Sequence, residues 1–211
     1  MQTFDSANFH LFCDKLTRKD RELKGIITQH GYPPLWTRPN TFQTLVLTIL
    51  EQQVSLAAAY AAFKKLKQKI GYVTPAKILQ LTDEEMRACY FTRQKMGYAR
   101  GLAEAVQLKK VQLKKLRALP DEEVRSELIK LKGIGHWTID VYLMHALQRT
   151  DLFPLGDIAL VNSLKEIKQL HPHISKEEML KIAAPWRPYR TIAAMILWHA
   201  YIKKRNIKLR D

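Results

Sequence analysis

Apolar residues recur three and four positions apart along almost the whole chain, the spacing that gives a helix one face for a core. The pattern predicts helices over 6–18, 20–30, 41–52, 55–69, 75–80, 83–90, 93–115, 121–131, 136–149, 157–170, 175–183 and 189–205. Several starts are marked. Thr82-Asp83-Glu84-Glu85 and Ser175-Lys176-Glu177-Glu178 carry the hydroxyl-then-acid spacing of a capping box. Thr74-Pro75 places a cap before a first-turn proline. No stretch alternates apolar and polar residues as a half-buried strand would, so the fold class is all-α. The loop 31–40, with Pro33, Pro34 and Pro39, sets an N-terminal helical pair apart from a central block, and there is no internal repeat or low-complexity linker.

One interruption of the pattern carries chemistry. Between the helices at 121–131 and 136–149 stands Leu131-Lys132-Gly133-Ile134-Gly135. Val124, Leu128 and Leu131 share a face of the first helix. Trp137, Val141, Met144 and Gln148 share one face of the second, and Ile139, Leu143 and Leu147 an adjoining one. Two glycines permit a tight turn at positive φ without a side-chain shield. Backbone N–H groups there, beside a helix N-terminus, suit a phosphate. The element reads as a helix-hairpin-helix, which grips a nucleic-acid backbone without reading bases. Asp157 follows 22 residues after the second glycine and opens the next helical pattern. It can serve as a plain N-cap, or as a charge that the helix N-terminus favours in its ionised form.

The charge balance agrees. The chain has 211 residues, a net charge of +15 and a pI near 9.8, with 46% apolar residues. That is enough apolar content for a real core, with room for one large domain or two small lobes. The basic excess favours a polyanion such as DNA, RNA or an anionic surface. The clusters Lys64-Lys65-Leu66-Lys67-Gln68-Lys69, Lys109-Lys110-Val111-Gln112-Leu113-Lys114-Lys115 and Lys203-Lys204-Arg205 each read as a solvated helix face; their total matters more. No apolar run reaches the ~18 residues of a membrane span, and residues 1–12 lack the basic head and apolar stretch of a secretory signal. Cys13 and Cys89 lie far apart and make no metal-ligand spacing, which points to reduced, buried thiols in a cytosolic or nuclear protein.

The block 131–157 resembles the hairpin, Gly/Pro-rich loop and aspartate of the helix-hairpin-helix-GPD superfamily of DNA glycosylases, and is most similar to its 3-methyladenine DNA glycosylase II group. Gln52-Gln53-Val54-Ser55, followed by Leu56-Ala57-Ala58-Ala59, matches that group's Gln-Gln-x-Ser turn. Trp186-Arg187-Pro188-Tyr189-Arg190, Ala193-Ala194 and Trp198 match its C-terminal helix. The likeness runs from about residue 40 to 203. It implies a single domain over 1–211, a two-lobed helical bundle with a cleft between lobes. A central lobe would cover about 41–155, and 1–40 with 156–211 would form the other.

The resemblance also implies roles. Gln53 is the wedge that fills the stack when a base is flipped out; as a bare residue it is a surface turn. Trp137, Trp198 and Tyr189 are base-pocket positions, the tryptophans reading otherwise as core. Lys132, Gly133, Ile134, Gly135, His136 and Thr138 meet the DNA backbone, although His136 also reads as a polar helix start. Asp157 is the catalytic acid, stabilising an oxocarbenium-like sugar. A Na+ or K+ ion would sit on main-chain carbonyls of Ile129, Leu131 and Ile134, with no other cofactor. Superfamily branches that also cut the strand carry a Schiff-base lysine just after the hairpin. Here Trp137 stands there, flanked by His136 and Thr138. The four cysteines of the iron–sulfur branch are missing too. The expected activity is therefore monofunctional: hydrolysis of the N-glycosidic bond of alkylated bases (3-methyladenine, 7-methylguanine type) in double-stranded DNA. The expected protein is a monomer without membrane contact, cytoplasmic in a bacterium and nuclear in a eukaryote. The alternatives are a non-catalytic hairpin protein that binds DNA, which lacks a use for Asp157, and a glycosylase for an oxidised or deaminated base.

Overall fold

The computed structural model describes residues 1–207. Among these residues thirteen α-helices follow one another: α1 (Phe9–Thr17), α2 (Arg21–His30), α3 (Phe42–Glu51), α4 (Leu56–Ile70), α5 (Pro75–Gln80), α6 (Asp83–Ala88), α7 (Arg93–Gln107), α8 (Leu113–Leu116), α9 (Asp121–Leu128), α10 (His136–His145), α11 (Ile158–Ile167), α12 (Lys176–Ala183) and α13 (Arg190–Lys204). A 3₁₀ turn at Ala184–Trp186 precedes α13. The fold is all-α; extended pairing among the described residues is one bridge between Thr3 and Arg149. Side-chain caps start the helices where the sequence marks them. Both capping boxes form, at Thr82 with Glu85 and at Ser175 with Glu178. Thr74 caps α5 ahead of Pro75, and Asp20, Ser55, Thr92 and Asp157 cap α2, α4, α7 and α11.

Several expected helices are shorter. The stretch expected at 93–115 breaks: α7 stops at Gln107, Lys109 takes φ +57°, and a short α8 resumes at Leu113. The buried stripe of α7 runs through Ala99, Leu102 and Ala103. One or two turns further on, that stripe would have to bury Lys109 and Lys110, so the chain turns and buries Val111 instead. The helix expected at 136–149 ends at His145, because Gln148 and Arg149 turn to pair with the N-terminal segment: the Phe4 N–H donates to the Gln148 carbonyl at 3.0 Å. Similarly, α1 begins at Phe9 rather than residue 6, after a turn in which the Asp5 and Asn8 side chains accept backbone N–H groups.

The chain divides into two compact units. Among the described residues, the first holds Met1–Thr37 and residues 143–207; the second holds Arg38–Tyr142. The crossing falls inside α10, which corrects the expected boundary near 155, since the residues just past Tyr142 pack with the C-terminal helices. In the first unit, α13 is the central rod: Thr191 through Leu197 are all buried, and α1, α2 and α11 lie against it. In the second, every residue of α3 except Gln43 is buried, and the helix packs on α4 and α7. Cys13 and Cys89 are free, buried thiols, and burial pushes Cys13 up to about 12. No described helix is long and apolar enough to cross a membrane.

Candidate active site

The hairpin belongs to the second unit. Its two helices are tied by an ion pair, Arg125 Nη2 to Asp140 Oδ1 at 2.5 Å. Burial pushes the Asp140 carboxyl up, while Arg125 pulls it the other way. The two glycines have different duties. Gly133 alone takes the left-handed conformation, φ +87°, and a Cβ there would lie 2.1 Å from Tyr98 Cγ. Gly135 has no such φ, and a Cβ there would meet open space. Positive φ at both glycines is thus corrected to one. Ile134 plugs the turn with a buried side chain, and its N–H is spent on the Leu131 carbonyl at 3.0 Å. Its place among backbone-binding groups is corrected for that reason. Thr138 is corrected as well: it is 2% exposed, and its hydroxyl accepts from Gln52 Nε2 at 2.9 Å. Lys132, Gly135 and His136 are exposed, and the first-turn N–H groups of α10 have no intrahelical acceptor. They remain the face a phosphate can reach.

The same Gln52 Nε2 donates to the Gly133 carbonyl at 2.8 Å. One amide thereby joins the turn after α3 to the hairpin. The end of α3 is held further by Arg38, whose guanidinium grips the Glu51 carboxylate with two bonds of 2.6 and 2.8 Å. Lys95 Nζ donates to the Leu50 carbonyl at 2.7 Å, and burial pushes this ammonium down. On this fixed base Gln53 is exposed at φ +56°, between the turn residue Gln52 and Ser55, which caps α4. Left-handed residues also follow α6, α7, α10, α11 and α13, so the conformation alone marks a helix exit. What sets Gln53 apart is its projection from a clamped turn, beside Val54 and Leu56, both exposed apolar side chains.

Asp157 belongs to the first unit. Its loop is pinned to α13: Arg190 donates from Nε to Asp151 Oδ1 at 2.7 Å and from Nη2 to Oδ2 at 3.0 Å, and the Leu152 N–H donates to Thr191 Oγ1 at 3.0 Å. The Asp157 N–H closes the turn on the Pro154 carbonyl at 2.9 Å. Its carboxylate Oδ1 then accepts the Leu160 N–H at 2.8 Å and the Trp198 indole N–H at 2.9 Å. Asp157 is therefore a helix cap and an oriented, half-exposed carboxylate at once. Such a group can stabilise positive charge that develops opposite it.

The aromatic positions separate. Trp198 is half-buried; its N–H is engaged by Asp157 and one face is stacked on His145, with ring centroids 5.7 Å apart. Tyr189 stacks on Phe12 at 4.5 Å, and its hydroxyl accepts from Lys15 Nζ at 3.2 Å. It is 9% exposed, which leaves little ring to receive a base; its pocket assignment gives way to a core one. Trp137, in the second unit, is half-buried at the start of α10. Sequence reasoning missed the anchoring role of Gln52, and missed His145, Tyr98 and the Asp151–Arg190 pair. Gln52 stood inside a quoted turn, but its partners lie 81 and 86 residues away.

A model of HhH-GPD superfamily base excision DNA repair proteins matches residues 46–188. The chain belongs to that superfamily. It is 31% identical over 186 residues to YfjP of Bacillus subtilis (strain 168), a match covering 84% of this chain and 65% of YfjP. The chain thus spans less than two thirds of that relative's own length. It is 30% identical over 190 residues to the alkylbase DNA glycosidase-like protein mag2 of Schizosaccharomyces pombe, covering 87% of this chain and 89% of mag2. The solved structure of Schizosaccharomyces pombe 3-methyladenine DNA glycosylase (Mag1) in complex with abasic DNA superposes with a TM-score of 0.80 at 27% identity, over 91% of this chain and 95% of that one. The HhH-GPD match includes the hairpin, the Gln52–Ser55 turn and Asp157, but ends before Trp198.

Proposed function

We propose that this chain is a monofunctional DNA glycosylase that hydrolyses the N-glycosidic bond of alkylated purines in duplex DNA and works as a monomer. The observation that carries the reading is the Asp157 carboxylate, fixed through Oδ1 by a helix N–H and an indole N–H. A base inside a duplex must leave the stack before its bond can be attacked. The hairpin's exposed N–H groups and Lys132 hold the phosphate backbone, and Gln53 enters the vacated stack from its clamped turn. An N3- or N7-alkylated purine carries positive charge. Trp137 offers an indole face that attracts such a cation more than a neutral base. The charged base leaves readily, charge builds on the sugar as an oxocarbenium ion, and Asp157 stabilises it and orients water. The main-chain carbonyls of Ile129, Leu131 and Ile134 would hold a monovalent cation; that of Leu131 accepts the Ile134 N–H at 3.0 Å and keeps a second lone pair, and the ion would add positive charge beside the phosphate. The names of mag2 and Mag1 support alkylated bases over oxidised ones.

Asp157→Asn tests the assignment. Single-turnover excision from a duplex with one 7-methylguanine should fall by on the order of 10²–10³ or more, with DNA affinity unchanged or higher. Near-normal turnover would sink the role. Trp137 stands where a strand-cutting relative has its nucleophilic amine, so the product should be an intact abasic strand. Borohydride trapping on abasic-site DNA should give no covalent band; a strong band abolished by mutating one lysine would refute the monofunctional reading.

A further inference from the structure

Trp198, which holds Asp157, is itself held by a histidine. His145 ends α10, and its Nδ1 lies 2.7 Å from the Trp36 carbonyl. A carbonyl only accepts, so Nδ1 carries the proton. The imidazole stacks on the Trp198 indole, with centroids 5.7 Å apart and planes 23° apart. Trp198 in turn donates to Asp157 Oδ1 at 2.9 Å. The Trp36 end is itself fixed: its N–H donates to the Pro34 carbonyl at 2.9 Å, and its ring lies 6.4 Å from His199, the neighbour of Trp198. His199 Nε2 donates to the His30 carbonyl at 3.1 Å. All these residues lie in the first unit.

We propose that His145 is a positioning residue for the proposed reaction: clamped to the Trp36 carbonyl and stacked on Trp198, it sets the angle at which the indole N–H meets Asp157. The inference rests on the catalytic reading of Asp157. It also recasts Trp198 as the holder of the acid rather than a platform for the flipped base. The choice of imidazole is explained by its two simultaneous tasks. A phenyl ring would stack without fixing its own rotation, and a small side chain would do neither. An indole free to tilt lets the carboxylate swing away from the sugar, and a displacement near 1 Å at a reacting centre costs up to ~10²-fold in rate.

The test uses the full chain and a duplex carrying one 7-methylguanine. His145→Ala should lower the single-turnover rate about 10- to 10²-fold, while the affinity for undamaged duplex and the melting temperature move little. His145→Phe should recover part of the loss, because stacking returns without the clamp. Trp198→Phe removes the N–H together with part of the stacked ring and should lower the rate at least comparably. The double variant His145→Ala/Trp198→Phe should be no slower than Trp198→Phe alone, since both act through one bond. Wild-type rates in His145→Ala, losses confined to DNA affinity, or rates that multiply in the double variant would each overturn the proposal. If Asp157→Asn keeps its activity, the parent reading falls and the positioning role with it. If Asp157→Asn is inert while His145→Ala and Trp198→Phe are normal, only the positioning role falls.

Discussion

Replacing Gly133 and Gly135 separately by alanine should produce opposite phenotypes. At Gly133 two penalties combine. The residue sits at φ +87°, where a Cβ costs about 1–2 kcal/mol. That Cβ would also lie 2.1, 2.3 and 2.4 Å from three atoms of the Tyr98 ring. The nearest is Cγ, at the root of the ring, so a small tilt brings no relief; the whole side chain must swing out. Overpacking of this kind costs about 1–3 kcal/mol. Gly133→Ala should therefore lose about 2–5 kcal/mol, a melting temperature lower by roughly 5–20 °C for a chain of this size. Urea titration with circular dichroism, at matched m-values, measures it. In a Tyr98→Ala background the same change should cost only the backbone part, about 1–2 kcal/mol. At Gly135 a Cβ meets open space, so stability should move by less than about 0.5 kcal/mol. That methyl stands where backbone and phosphate would approach, so Gly135→Ala should weaken binding to damaged and undamaged duplexes alike. Equal costs for Gly133→Ala in both backgrounds would refute the clash. A Gly135→Ala variant that lost affinity only for lesion-bearing DNA would refute the assignment of the hairpin to the backbone.

Gln53→Ala should slow excision from duplex DNA more than base release from a free alkylated nucleoside, because a wedge matters only where a stack must be held open; equal losses would place the residue elsewhere in the chemistry or the fold. Asp20 supplies a pH signature. Burial opposes its charge, but Lys168 Nζ and the Trp186 indole, each at 2.7 Å, with the Leu23 N–H at 3.0 Å, hold its carboxyl below its ordinary value of 3.8. A depressed folded value means the contribution is complete above the unfolded value and fades as pH falls through the folded one. Acid unfolding below about pH 4 should therefore be shallower in Asp20→Asn, as read by a pH series of urea midpoints; an unchanged slope would remove this network from the acid response.

Local signals were legible in the sequence wherever one helix contains them. The cap residues at Thr74, Thr82, Ser175 and Asp157 announce their helices because a side-chain oxygen three residues before an N–H is a purely local arrangement. Asp157 was legible twice, as a cap and as an acid after a hairpin. Breaks inside apolar periodicity were not. The lysines at 109 and 110 interrupt the α7 stripe for a single turn, too briefly to show against a helical background. Pairings at long range were hidden altogether. Trp198 reaches Asp157 across 41 residues and Gln52 reaches Gly133 across 81, and neither side chain carries a spacing that names its partner. Tyr189 was misassigned because a motif fixes a position along the chain, whereas its neighbours Phe12 and Lys15 fix which way the ring faces.

The division of the chain has a consequence for its birth on the ribosome. Among the described residues the second unit is one uninterrupted stretch, Arg38–Tyr142, and all of it is synthesised before the first unit is complete. The first unit is split: its N-terminal 37 residues are made first and must wait for the stretch that begins at Leu143. At ordinary elongation speeds the roughly one hundred intervening residues take about 5–20 s to synthesise. During that interval Phe4, Phe9, Phe12 and Leu16, all buried at the end, hang from the nascent chain without α13 to cover them. Synthesis order thus makes the N-terminal helices a natural target for holding chaperones. A slowdown of translation within 38–142 lengthens the exposure, even where it leaves the finished protein identical.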